Sequence, residues 1–283
     1  MTGVLVTGGT GRTGGELVRL LREAGVPVRV ASRDPDAENP DAIRFDWDDP
    51  ATHSAALDGI DRVFLMPPPH SADPLPLVEP FLAEARRRGV RRLVFLGSAI
   101  PLAPSGLELA ARVRARPGWV VLRPSGFMQN FLRSHPVGAR IQRDGEIRTG
   151  AGDGRVGWID ARDIAATAAA LLSVPDAVHG DQRDYLLTGP QSLSYPEAAA
   201  TITVGTGRPI RVIHTSQEQQ TADLRAAGVS APFAGLLAAA DAGARTGRHD
   251  EVSTAVLDLT GRAPRTFAEF VEEHAARWAA PTA

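Results

Sequence analysis

Residues 1–15 read Met1-Thr-Gly-Val-Leu-Val-Thr-Gly-Gly-Thr-Gly-Arg-Thr-Gly-Gly15. An apolar run, Val4-Leu5-Val6, meets a turn carrying Gly8, Gly9, Gly11, Gly14 and Gly15, and a helical stretch from Glu16 to Ala24 follows at once. Residues 8–14, Gly8-Gly9-Thr10-Gly11-Arg12-Thr13-Gly14, fit the spacing G-x-x-G-x-x-G. A strand, a glycine turn and a helix in that order present a helix N-terminus, with unspent N–H groups and a positive dipole end, to an anionic group. Gly8 permits the tight turn, Gly11 lets backbone approach a pyrophosphate, and Gly14 lets the helix lie close to the sheet. The glycine spacing alone is weak; the strand before it and the helix after it specify a dinucleotide site. Gly8, Thr10, Gly11, Arg12, Thr13 and Gly14 are its expected cradle.

Outward from this turn, strands are predicted at Gly3–Thr7, Val26–Ala31, Ala42–Phe45, Asp61–Met66, Arg91–Gly97 and Trp119–Arg123, with later ones at Val156–Ile159 and Asp184–Thr188. Helices are predicted at Thr13–Ala24, Leu75–Arg88, Ser105–Arg114 and Ala161–Leu172. This alternation specifies an α/β fold, a Rossmann-type doubly wound parallel sheet with right-handed crossovers. The last third changes character. Ser194–Gly205, Gln217–Ala226 and Ala231–Ala244 are alanine-rich helical stretches, with a strand near Ile210–Ile213, and Thr266-Phe-Ala-Glu269 is a capping box opening a helix to about Ala279. The expected partition is 1–150 as the NAD(P)-binding core, 151–190 completing it, and 191–283 as a smaller, mainly helical lobe over the carboxyl ends of the strands.

The end of the second strand reads Ala31-Ser32-Arg33-Asp34. NAD enzymes place an acid there for the ribose 2′-hydroxyl, whereas NADP needs positive charge for the 2′-phosphate. Ser32 and Arg33 suit a phosphate, with Arg12 assisting, so NADP(H) is expected over NAD(H). The alternative is that Asp34 binds the ribose. Asp46-Trp47, ending the third strand, is placed at the adenine, or else Asp46 is a loop acid.

The chain has 283 residues, 43% hydrophobic and 23% charged, with a net charge of −2, which argues for no nucleic-acid or membrane partner. No apolar run approaches a membrane span and no secretory leader is visible, so a cytoplasmic location is expected. Cysteine is absent, which excludes disulfides and thiolate chemistry. All 31 basic residues are arginine. No lysine is therefore present to depress a tyrosine pKa or form a Schiff base. The histidines show no metal-ligand spacing, and no metal is expected.

Further stretches carry a resemblance. Phe45-Asp46-Trp47-Asp48-Asp49-Pro50, Phe64-Leu65-Met66-Pro67-Pro68-Pro69, Leu122-Arg-Pro-Ser-Gly-Phe-Met-Gln-Asn-Phe131, Gly152-Asp-Gly-Arg155, Asp160-Ala-Arg-Asp163 and Thr260-Gly-Arg-Ala-Pro-Arg-Thr-Phe267 join the glycine motif and Arg33. Together they resemble the NmrA-like, atypical short-chain dehydrogenase/reductases, nearest the ergot-alkaloid reductase (agroclavine-dehydrogenase-like) subgroup, over almost the whole chain. The resemblance implies NADP(H) bound in an extended form. It implicates Pro67, Pro68, Gly97, Pro124 and Ser125 at the cofactor, with Ser98 close by, and Phe127, Met128 and Asn130 toward a substrate, with Phe131 adding to an apolar wall.

Ordinary short-chain dehydrogenases carry Tyr-x-x-x-Lys on the helix after the fifth strand, where the tyrosine gives a proton to a carbonyl oxygen. Ser105–Ala115 holds neither residue, although Glu108 lies there, and the only tyrosines, Tyr185 and Tyr195, sit in later elements with structural roles expected. Ser98, His70 and His135 are the candidates left for an acid–base role. Hydride transfer to an iminium, enone or quinone needs little acid catalysis, because positioning supplies much of the rate. The sequence thus favours an NADPH-dependent reductase of a small apolar or aromatic metabolite, acting as monomer or homodimer. Two alternatives remain open: an NADP(H)-sensing regulator without turnover, and a non-redox isomerase or cyclase on the same fold.

Overall fold

The structure, a computed structural model, describes residues 3–69, 71–100, 103–173 and 183–278. In chain order its elements are β1 (Gly3–Val6), α1 (Arg12–Glu23), β2 (Val28–Ser32), β3 (Ala42–Arg44), α2 (Ala51–Ala56), β4 (Ile60–Leu65), α3 (Leu75–Arg87), β5 (Arg92–Leu96), α4 (Pro104–Arg114) and β6 (Trp119–Pro124). There follow α5 (Pro136–Asp144), β7 (Glu146–Thr149), β8 (Arg155–Val156), α6 (Ala161–Ser173), β9 (Asp184–Leu187), β10 (Leu193–Ser194), α7 (Tyr195–Thr206), β11 (Arg211–His214), α8 (Gln217–Ala226), α9 (Ala231–Gly243), α10 (Ala255–Thr260) and α11 (Phe267–His274). The chain divides into two compact units, residues 1–123, 162–186 and 258–261 in the first and 124–161, 187–257 and 262–283 in the second.

The first unit carries most of a seven-stranded sheet ordered β3-β2-β1-β4-β5-β6-β9, in which β1 through β6 pair in parallel. Helices cover parallel sheets, so their central strands are apolar throughout; β1 and β5 are buried at every position. The strand order reverses at β1, flanked by β2 on one side and β4 on the other. Ligands of open α/β sheets bind at such a switch point, outside the carboxyl ends of the strands. The glycine turn leaves β1 there.

Beneath β3, Phe45, Trp47, His53 and Phe81 form one aromatic cluster, with Phe45 and Trp47 edge to face at 4.8 Å and His53 stacked on Phe45 at 5.0 Å. His53 is 2% exposed; its Nε2–H donates to the Asp46 carbonyl at 3.1 Å and its Nδ1 has no partner among the described residues. Burial pushes its pKa below the ordinary value. The unfolded chain therefore takes up this proton at a higher pH than the folded one. The stability gained by keeping His53 neutral is complete above about pH 6.5 and is lost as pH falls through its folded pKa. His53→Phe is expected to flatten the fall of the melting temperature over that acid range; an unchanged pH slope would remove His53 as a cause.

The second unit holds a two-stranded antiparallel pair, β8 with β10, and a parallel pair, β7 with β11. Its core gathers Phe131, Ile141, Ile147, Trp158, Ile202, Phe267, Phe270 and Trp278. The Trp278 indole donates to the Phe131 carbonyl at 2.7 Å. Capping boxes open α7 (Ser194 with Glu197) and α11 (Thr266 with Glu269).

Several expectations change here. The second unit starts at Pro124 rather than at residue 191, because the segment after β6 places Phe131, Ile141, Ile147 and Trp158 in the same core as Phe267 and Trp278. The strand expected over Val156–Ile159 stops at Val156, where the Trp158 N–H turns back to the Val156 carbonyl at 2.9 Å. The last helix ends at His274 and continues as a tighter turn over Ala275–Arg277, short of the expected Ala279, which lies outside the described residues.

Candidate cofactor site

The cradle is built first from backbone. Gly8 has φ +66°, and a Cβ there would lie 2.3 Å from the Met66 Cε. A Cβ on Gly14 would lie 2.2 Å from the Gly8 carbonyl oxygen and 2.7 Å from its carbon. The Gly11 N–H closes the turn on that same oxygen at 2.9 Å. The Thr7 hydroxyl accepts from the Met66 N–H at 2.7 Å, tying the end of β1 to the end of β4. Gly11 caps α1 with no side-chain bond, and the first turn of the helix holds no acid. Its N-terminus brings the positive end of the helix dipole to this turn, where it favours an anion. Thr10, Gly11 and Arg12 are exposed there and Thr13 is buried.

At the carboxyl end of β2 the Ser32 hydroxyl accepts from the Asp34 N–H at 3.2 Å and donates to the Asp34 carbonyl at 2.9 Å, fixing the turn. Arg33 is exposed, and its guanidinium makes no ion pair with a described residue. A second cation stands beside it. Arg44 pairs in register with Ser32, and its Nη1 donates to the Arg33 carbonyl at 3.2 Å. Sequence reading passed over Arg44, and only the β2–β3 register brings it to this corner. Asp46 is held by its backbone, its N–H donating to the Thr52 hydroxyl at 3.0 Å, while its Oδ1 accepts from the Asp48 N–H at 3.1 Å. Trp47, expected at the adenine, is instead 8% exposed within the aromatic cluster, so it supports the Asp46 turn from below. Pro67 is half-buried and Pro68 buried after β4. The Gly97 N–H donates to the Leu122 carbonyl at 2.8 Å, and the exposed Ser98 closes its hydroxyl onto Ile100, accepting from its N–H at 3.0 Å and donating to its carbonyl at 2.7 Å. His70 lies outside the described residues.

The remaining candidates belong to the second unit. Pro124 is buried, and the Ser125 hydroxyl donates to the Gly157 carbonyl while its N–H donates to the Leu187 carbonyl at 2.9 Å. Phe127 and Asn130 are half-buried. Met128 and Phe131, expected to wall the substrate, are 1% and 0% exposed and serve the core. Gln129 sets this segment: its amide donates to the Asp160 Oδ1 and accepts from the Ala161 N–H, both at 3.0 Å. The His135 Nδ1 accepts from the Val137 N–H at 3.3 Å, which spends it as the cap of α5. Burial, with the negative charge of Asp241 nearby, holds the Tyr195 hydroxyl well above the ordinary phenol range; burial also raises Tyr185. Among the described residues no cluster of His, Cys, Asp or Glu could hold a metal ion, and no helix is long and apolar enough to cross a membrane.

The switch point, the collapsed glycine turn and the helix N-terminus that follows it define a dinucleotide-binding protein of the Rossmann class. A family model described as NAD(P)H-binding matches residues 8–175. Agroclavine dehydrogenase of Claviceps fusiformis is 34% identical, covering 97% of this chain and 98% of its own. An NAD(P)H azoreductase of Xenophilus azovorans is 34% identical, covering 98% of this chain and 99% of its own. The triphenylmethane reductase of Citrobacter sp., solved with NADP(H), aligns with a TM-score of 0.79 at 25% identity, covering 96% of this chain and 99% of that one. The chain belongs to this NAD(P)H-binding family of NmrA-like, atypical short-chain dehydrogenase/reductases, whose relatives are oxidoreductases.

Proposed function

We propose that this protein is an NADPH-dependent reductase of small, planar, conjugated acceptors of the iminium, enone, quinone or azo type. The reading rests above all on a complete cofactor cradle beside which no tyrosine–lysine pair stands. The cradle fits the cofactor because a Cβ at Gly8 or Gly14 would fill the space that the turn requires. Gly8 to Gly14 hold the pyrophosphate, Arg33 and Arg44 hold the 2′-phosphate, and the Asp46 turn receives the adenine. When bound, reduced nicotinamide supplies the hydride. The protein contributes position. Phe127 and Asn130 are the substrate-facing residues of the second unit in this reading. An iminium acceptor needs no proton. For an enone, a quinone or an azo bond the protons come from water, since Ser98 is closed on its own turn and both tyrosines are buried. The names of the azo and clavine relatives support acceptors of this class.

The test is NADPH oxidation with a panel of iminium, enone, quinone and azo compounds. Turnover with at least one class is expected; cofactor binding without turnover across the panel would overturn the reductase reading in favour of a sensor. Arg33→Gln and Arg44→Gln are each expected to weaken NADPH about tenfold, near 1.4 kcal/mol, while leaving NADH almost unchanged. Equal losses for both nucleotides would remove the two arginines from the 2′-phosphate.

A further inference from the structure

Within the second unit, α5 with the residues just before it, β7 and α8 line an open cavity of about 490 Å³. That volume falls in the range of small-molecule sites, roughly 300–1,000 Å³. Four guanidinium groups line it, those of Arg133, Arg140, Arg143 and Arg148, against the single carboxylate of Asp223.

The positive charge there is only partly neutralised. One oxygen of Asp223 serves two arginines at long range, Arg140 at 3.7 Å and Arg148 at 3.4 Å. The other oxygen accepts from the Gln219 amide at 3.1 Å. The second acid near Arg140, Asp144, stands 3.9 Å away and is already engaged by Arg143 at 2.7 Å. The Arg148 Nε is buried with no hydrogen-bond partner among the described residues, although the Glu146 carboxylate lies 3.6 Å off. The Arg140 and Arg148 side chains stay 21% and 36% exposed, so an anion can supply the short charge-assisted bonds that Asp223 gives neither of them. Arg133 is exposed and makes no ion pair with a described residue. Val137 and Leu224 give the same cavity an apolar wall.

We propose that this cavity binds an organic anion, with an apolar or aromatic body against Val137 and Leu224 and a carboxylate, sulfonate or phosphate held by Arg140 and Arg148, Arg133 adding charge at the mouth. The proposal stands apart from the reductase reading. An acid group on the reduced acceptor and a separate acidic effector share this chemistry, and kinetics separate them.

The probe is naphthalene-2-sulfonate, titrated calorimetrically into the full-length protein, with neutral 2-naphthamide as its control. Saturable binding of the sulfonate is expected, at least tenfold tighter than the amide and weakening as salt rises. Arg140→Gln is expected to lower sulfonate affinity tenfold or more while NADPH affinity stays at the wild-type value. Because Arg140 also contacts acids in the native fold, Arg133→Gln, at an exposed position, provides the second variant, with an expected loss of about threefold and an unchanged melting temperature. Failure of the wild type to bind the sulfonate, equal affinity for the amide, or full affinity in both variants would overturn the proposal, whatever the outcome with NADPH. Competition between the sulfonate and the acceptor in turnover assigns the cavity to a substrate's acid group; inhibition or activation without competition assigns it to an effector.

Discussion

Gly14→Ala is expected to weaken NADPH binding about 100-fold, near 2.7 kcal/mol. A methyl group at residue 14 meets the Gly8 carbonyl oxygen at 2.2 Å and the Gly8 carbon at 2.7 Å. Neither atom belongs to a flexible side chain. The oxygen already accepts from the Gly11 N–H at 2.9 Å, and Gly8 occupies a positive-φ conformation that leaves little room to rotate. Relief comes only by moving the loop away from the helix by about 1 Å, which misdirects the N–H groups that the proposed function assigns to the pyrophosphate. Calorimetric titration with NADPH checks this. Gly25→Ala is the control. That residue also has φ +68°, yet nothing lies within 4 Å of its Cβ position, so its cost should appear in thermal stability with cofactor affinity unchanged. A Gly14→Ala affinity within threefold of wild type would mean that the loop does not hold the pyrophosphate.

Asp241→Ala is expected to remove about 3 kcal/mol of stability. One oxygen of this carboxylate accepts from the Thr149 hydroxyl at 2.6 Å, the Gly150 N–H at 2.8 Å and the Gln220 amide at 2.7 Å. Alanine leaves the buried Thr149 hydroxyl and Gln220 amide to find other partners. A fall in melting temperature of roughly 6–12 °C follows for a chain of this size. Asp241→Asn keeps an acceptor oxygen at the same place and is expected to fall by less than half as much. A change under 2 °C for the alanine variant would show that the donors re-pair without loss.

The parallel sheet was legible because its strands are short apolar runs between glycine, proline and acidic turns, and the cradle because β1, the turn and α1 are contiguous in sequence. The capping box at Thr266 was equally plain, since its two partners are three residues apart. What escaped depended on distance along the chain. Arg44 reaches the corner of β2 only through strand register. Trp47 and Met128 look like ligands of a cofactor or substrate in a motif, but Phe81 and the core around Trp158 claim them. Ser125 and Ser98 carry free hydroxyls in sequence and spend them on Gly157 and Ile100 in the fold. α5 went unread although Pro136 opens it as a first-turn proline and Gly145 stops it in the left-handed conformation.

Both units are assembled from pieces that are not neighbours in sequence. The first takes residues 1–123, gives up the chain to the second, recovers it at 162–186 and again at 258–261. During synthesis, then, neither unit has its full set of contacts until nearly the whole polypeptide has emerged, and long loops must close before those contacts form. Apolar strands wait unpaired in the meantime, a state prone to association with other nascent chains. Cutting the gene at any single internal position would sever at least one of the two units, and because their segments alternate three times along the chain, circular permutation would leave each of them interrupted as well.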